Sequence, residues 1–220
     1  MSSKISTDRD LKNSLIYMMP LAISMLLPLI TLPIFTRILT TDDYGVLALG
    51  LAFAIFANGI VNFGTTLAYE RNFFEFTKDK KKFSQLFYSC LLFINVNFLF
   101  IALLTFTFKE NISYLFTRSY DHAMFFFLAF IAQYFFITLT KNYFTYLRNS
   151  YRSFDYAKYT ILSSFLYFFL SLFFIVYLKT GIVGIIYSQI ITGFCLFVIL
   201  SLVVFRELKF SFDKTLRLGD

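Results

Sequence analysis

Charge is what this chain has least of. Asp, Glu, Lys and Arg together make up 15% of its 220 residues, where a water-soluble domain of that length carries about 25%. Tryptophan is absent, and histidine occurs once, as His122. The two cysteines, Cys90 and Cys195, both fall within apolar runs, where they act as small apolar side chains. Two such residues make neither a disulfide framework nor a metal site. His122 stands beside Asp121 with no second histidine or carboxylate cluster, so it reads as an interfacial polar residue rather than a catalytic one. There is no Walker loop and no dinucleotide fingerprint. Nothing suggests ATP hydrolysis or group transfer, and no cofactor or metal is expected. Proline is scarce too. Pro20, Pro28 and Pro33 are the only ones, and all lie in MMPLAISMLLPLITLPIFTRIL, residues 18–39.

What the chain does have is apolar bulk. It is 58% hydrophobic and 22% aromatic, with 33 Phe and 15 Tyr. That is too much for one aqueous core, so lipid is the expected solvent. Six segments are long and apolar enough to span: Ser14–Arg37, Tyr44–Tyr69, Ser84–Phe108, Ala123–Tyr146, Tyr156–Leu178 and Ile182–Phe205. Runs this continuous are helical in a bilayer. The expected fold is an all-α membrane protein with six transmembrane helices, residues 1–220 forming a single domain. The polar start MSSKISTDRDLKNS has no small-residue cleavage site after the apolar run, so it reads as retained rather than as part of a signal peptide.

Basic residues set the expected orientation. Lys4, Arg9 and Lys12 precede the first span. Arg71, Lys78, Lys80, Lys81 and Lys82 follow the second, Arg148, Arg152 and Lys158 the fourth, and Arg206, Lys209, Lys214 and Arg217 the sixth. The alternate ends hold only Arg37, Lys109, Arg118 and Lys179. Cytoplasmic loops carry the positive charge, which puts both termini inside. Attraction of these loops to anionic inner-leaflet lipids accounts for the net charge of +7. The basic residues are dispersed and form no recognition motif, so a nucleic-acid partner is not expected.

The polar residues inside the spans are the candidates for function. Asn58, Asn62, Thr65 and Tyr69 fall on one face of a regular second helix. Tyr134, Thr138, Lys141, Thr145 and Arg148 do the same in the fourth. Lys141 has two readings: a cation facing a watery cavity, or one snorkelling to the interface. Asn95, Asn97 and Gln189 suit helix–helix hydrogen bonding. Glu70, Arg71 and Arg37 lie at span ends, where single charges act as anchors. Taken together, Arg37, Arg71, Lys141 and Arg148 would give a cavity a cationic lining suited to an anion such as a diphosphate. The clustered prolines predict a bend in the first helix, because each removes a backbone hydrogen bond.

PLAISMLLPLITLPIFTRILTTDDYGVLAL resembles the opening of the bacterial polysaccharide-export flippases of the O-antigen and capsule repeat-unit type, within the multidrug/oligosaccharidyl-lipid/polysaccharide exporter superfamily. The resemblance lies in the proline-bearing helix, then Thr36-Arg37, the acidic turn Asp42-Asp43, and Tyr44-Gly45. NFGTTLAYERNFFEF, with Gly64 and Arg71, KTGIVGIIYSQIITG, with Gly181 and Gly184, and RELKFSFDKTL resemble later parts of the same pattern.

The resemblance implies a function. Members have two six-helix lobes around a cavity that opens alternately to each side, so this chain corresponds to the N-terminal lobe. The second lobe would come from further chain or from a second copy. The implied substrate is an undecaprenyl-diphosphate-linked oligosaccharide, moved across the bacterial cytoplasmic (inner) membrane without enzymatic chemistry. The polar and cationic span residues make Arg37, Asn58, Asn62, Arg71, Lys141 and Arg148 the expected substrate-binding set, and the family's fold implies a gate at Pro20, Pro28 and Pro33. Two alternatives stand beside it. A drug–cation antiporter would need a mid-span carboxylate, which the spans lack. A non-transporting membrane subunit or truncated remnant would only pack against partners.

Overall fold

Apolar segments in lipid must close their own backbone hydrogen bonds, and this chain does so with helices alone among the residues described. The structure is a computed structural model. It describes residues 2–76 and 80–207, with the backbone alone for 2–15, 74–76, 80 and 207. Lys78, Lys209, Lys214, Arg217 and most of RELKFSFDKTL lie outside the described residues.

Helix α1 (Ser2–Phe35) is followed by α2 (Thr41–Asn62), α3 (Thr65–Phe76), α4 (Lys80–Thr107) and the short α5 (Lys109–Thr117). Then come α6 (Ala123–Gln133), a π-helical turn (Tyr134–Leu139) and α7 (Thr140–Asn149), which form one continuous rod. Helix α8 (Ser153–Leu172) ends in a second π-helical turn (Phe173–Tyr177), and α9 (Ile182–Glu207) closes the bundle. Six stretches are long and apolar enough to cross a membrane: Ile16–Phe35, Thr41–Asn62, Lys81–Thr107, Ala123–Asn149, Ser153–Tyr177 and Ile182–Arg206.

Local chemistry explains the boundaries. Thr40 and the acidic first turn of α2 form a capping box. Asp43 Oδ2 accepts from the Thr40 backbone N–H at 2.9 Å, and the Asp43 N–H donates back to Thr40 Oγ1 at 3.2 Å. Asp42 and Asp43 also sit where the helix dipole favours negative charge. At its far end α2 stops at Asn62, because Phe63 and Gly64 both adopt the left-handed conformation, with φ of 43° and 74°. Gly64 takes that conformation without cost. The second span is therefore shorter than Tyr44–Tyr69, and Thr65 and Tyr69 belong to a different helix from Asn58 and Asn62.

The fourth span is the hub. Of its apolar window 61% is buried, against 39% for the second and sixth and 17% for the first, third and fifth. One cluster of buried apolar residues joins α3, α4, α7 and α9 through Tyr69, Phe73, Phe83, Phe87, Tyr143, Tyr146 and Leu200. A second, toward the other end, joins Phe35, Leu39, Leu47, Phe125, Phe126, Ile182 and Ile186. Helix α1 packs chiefly on α8 and leaves Met18, Met19, Met25, Leu26, Leu29 and Ile30 exposed. It runs unbroken through all three prolines, with Pro20 buried and Pro28 and Pro33 exposed.

Candidate functional site

A cleft of about 330 Å³ opens beside the hub helix. Lys141, Thr145 and Arg148 of α7 line it, four and seven residues apart on one helical face. Thr160, Ser163 and Ser164 of α8 form the facing wall, Ser24 comes from α1, and Glu70 from α3. Phe136, Phe144 and Tyr156 supply aromatic surface, with the rings of Phe144 and Tyr156 edge to face at 5.6 Å. Tyr17 packs on Tyr156 at 5.4 Å and donates its hydroxyl to the Arg148 carbonyl at 3.4 Å, tying α1 to the mouth of the cleft.

The two cations are in different states. Arg148 Nη2 donates to Glu70 Oε1 at 2.9 Å, and Thr145 Oγ1 donates to the same oxygen at 3.3 Å. Lys141 is exposed within the cleft and makes no hydrogen bond or ion pair with any described residue. The cleft hydroxyls donate to their own helices: Thr160 to Tyr156, Ser163 and Ser164 to Thr160, Thr140 to Phe136 and Ser24 to Leu21, at 2.7–3.0 Å. Their protons are spent, so their lone pairs remain as acceptors. Among the described residues, the cleft thus offers one positive charge with no partner, a second held by a carboxylate, and a wall of acceptors beside aromatic rings. Such a lining suits a hydroxyl-rich anion.

The other expected residues lie elsewhere. Asn58 is buried with its amide fully used: Nδ2 donates to the Ala54 and Phe130 carbonyls at 2.9 and 3.1 Å, and Oδ1 accepts from Thr138 at 3.2 Å. Asn62 Oδ1 accepts from the Thr66 backbone N–H at 3.2 Å and from its hydroxyl at 3.0 Å, bridging the α2–α3 break. Tyr69 is buried among Phe73, Phe83 and Phe87. That burial raises its phenol well above the usual range and keeps it neutral. Arg71 is exposed and does not line the cleft. Arg37 follows the far end of α1, about 20 Å along the axis from Ser24 at 1.5 Å per residue. Its neighbours Phe35 and Leu39 belong to the other buried cluster.

The single polar face expected on the fourth helix is divided. Tyr134 stacks on Phe98 at 3.6 Å and donates to Asn95 Oδ1 at 2.9 Å, while Thr138 turns to Asn58. Only Lys141, Thr145 and Arg148 reach the cleft. The π-helical turn carries one residue more than an α-turn. That offsets everything after it by about 100° from the regular spacing. Sequence reading missed the α8 wall, although Tyr156, Thr160, Ser163 and Ser164 follow helical spacing and could have been found by it. Asn95 and Asn97 serve helix packing. Besides the Tyr134 bond, Asn97 Nδ2 donates to the Val61 carbonyl at 3.3 Å.

A family model described as "polysaccharide biosynthesis protein" matches residues 11–218. The chain belongs to this family. No curated protein and no solved structure matches it. A polysaccharide biosynthesis family member built from six membrane-length helices suits transport-like work within a membrane rather than enzymatic chemistry. The match takes in the cleft and every candidate residue.

Proposed function

We propose that this chain is a lobe of a flippase that moves undecaprenyl-diphosphate-linked oligosaccharide repeats from the inner to the outer leaflet of the bacterial cytoplasmic membrane, by alternating access. The observation that carries the reading is Lys141, a cation without a partner among the described residues, on the most buried span and facing a cleft lined by hydroxyl acceptors. A charge in a span is costly unless it faces water or a ligand, and such residues serve transport. In this mechanism Lys141 attracts the diphosphate as a point charge and Arg148 grips it with its fork. The Ser and Thr wall accepts from sugar hydroxyls, and the prenyl tail stays in lipid. The basic ends of the bundle face the cytoplasm, so the cleft loads there. A second lobe or a second copy completes the cavity, and α1, with its three prolines, acts as the gate. Arg37, at the opposite end, meets the substrate on release.

The family match supports the polysaccharide side of this reading. A cation antiporter is less well served, because Glu70, the one carboxylate lining the cleft among the described residues, is engaged by Arg148. The test is translocation in a host lacking its own flippase, using the full-length protein. A charge–phosphate contact is worth about 1.5–3 kcal/mol, so Lys141→Gln should lose roughly ten- to a hundredfold in substrate affinity, while Lys141→Arg keeps most of it. Normal transport by Lys141→Gln at wild-type expression would overturn the assignment and leave Lys141 as a snorkelling anchor.

A further inference from the structure

We infer that Glu70 is a built-in competitor for the transported anion: its carboxylate occupies Arg148 in the empty cleft and is displaced when a diphosphate arrives. The inference rests on the diphosphate reading of the cleft and adds a residue to it. Glu70 Oε1 receives the Arg148 guanidinium at 2.9 Å and the Thr145 hydroxyl at 3.3 Å. A charged oxygen taking one guanidinium and one hydroxyl proton is held as a phosphate oxygen would be. Lys141 lies about 10 Å farther along the same face, by helical rise, and has no partner among the described residues. The carboxylate therefore neutralises one of the two cations and not the other.

Three features make Glu70 displaceable rather than structural. It stands on α3, outside the membrane-length stretches, so its side chain can swing away without moving a span. The pair is partly exposed, with the Arg148 and Glu70 side chains at 51% and 30%, and such pairs are weak. It also sits in the cleft wall, in line with the free Lys141, so an anion drawn in by Lys141 meets Arg148 next. A competing carboxylate lowers affinity in proportion to the time it holds Arg148. It also gives Arg148 a partner at the moment of release.

The experiment is equilibrium binding to the full-length protein in neutral-lipid nanodiscs, with inorganic pyrophosphate in one arm and farnesyl diphosphate in the other. Glu70→Gln should bind about two- to fivefold tighter than wild type, as expected for loss of a partly exposed pair. Glu70→Asp draws the carboxylate back by one methylene and should show a smaller gain in the same direction. The gain should vanish when Arg148→Gln is also present. A gain with both probes assigns recognition to the diphosphate itself, and a gain with the prenyl probe alone assigns it to a lipid headgroup. Either supports the inference. Unchanged or weaker binding by Glu70→Gln and Glu70→Asp, in a protein that binds the probe as wild type, overturns the inference and leaves the diphosphate reading standing. So does a gain that persists without Arg148. Absence of binding by wild type and both Glu70 variants overturns the two together.

Discussion

Among single residues, candidates that looked alike in sequence separate by what they touch. Asn58 has each of its amide groups bonded to protein, across to Phe130 and Thr138 as well as within α2. Hydrogen bonds between membrane helices average about 0.6 kcal/mol and reach about 1.7. Asn58→Ala should therefore lower the thermal midpoint of the purified protein while leaving its affinity for a prenyl diphosphate unchanged. Lost affinity at unchanged stability would return Asn58 to the ligand. Arg71 and Arg148 both follow polar positions at a span end, yet only Arg148 lines the cleft. Arg71→Gln should leave diphosphate binding within twofold of wild type, and Arg148→Gln should weaken it by about tenfold or more, as for a charged hydrogen bond. Equal losses in the two would mean that net charge, not geometry, governs binding.

The element that matters most is the π-helical turn within the fourth span. It aims Tyr134 and Thr138 at neighbouring helices and Lys141 at the cleft. Gly193 of α9 allows it to pack: a Cβ there would lie 2.5 Å from the Phe135 carbonyl carbon and 2.6 Å from the Phe136 nitrogen. Backbone cannot yield as a side-chain tip can, so Gly193→Ala should push α9 away, at a cost of about 1–3 kcal/mol for overpacking. A drop in thermal midpoint checks this, and an unchanged midpoint would show that α9 does not press on the turn. A π-turn is an α-helix with one residue too many. Deleting Ile137, exposed within the turn, should convert it to α-helix and keep Lys141 in the cleft, with diphosphate binding retained. In a regular helix the same deletion would rotate Lys141 by about 100° and abolish binding.

Over the whole molecule, antiparallel helices bring the ends rich in Lys and Arg together. Lys81 and Lys82 at the start of α4, Arg148 in the last turn of the fourth span and Arg152 just after it, and Arg206 near the end of α9 share the end that carries the cleft mouth, since Phe83 stacks on Tyr146 at 5.8 Å. Ser119, between α5 and α6, belongs to the other end. A membrane-impermeant thiol reagent on intact cells should label a cysteine placed at Ser119 and spare one at Lys80. The reverse pattern would turn the bundle over and make the cleft open outward. Helix α1 is held chiefly by one neighbour, α8, and leaves a broad apolar face uncovered.

The sequence alone determined the solvent, the helical class and the span count. These follow from runs of apolar residues about 20 long, and hydrophobicity is a sum that needs no knowledge of neighbours. It also carried the row Lys141–Thr145–Arg148, because successive members lie within one turn of each other. Tertiary structure alone decided that Asn58 is consumed by packing, that Glu70 reaches Arg148, and that α8 builds the facing wall. Each of these joins residues far apart in the chain, and helical spacing contains no information about which face meets which neighbour. The breaks in periodicity that bear on the site, at Phe63–Gly64 and at the π-helical turn of the fourth span, were hidden because regular spacing assumes a regular helix. The first is bridged locally by Asn62 and Thr66, and the second packs its backbone against Gly193 of α9.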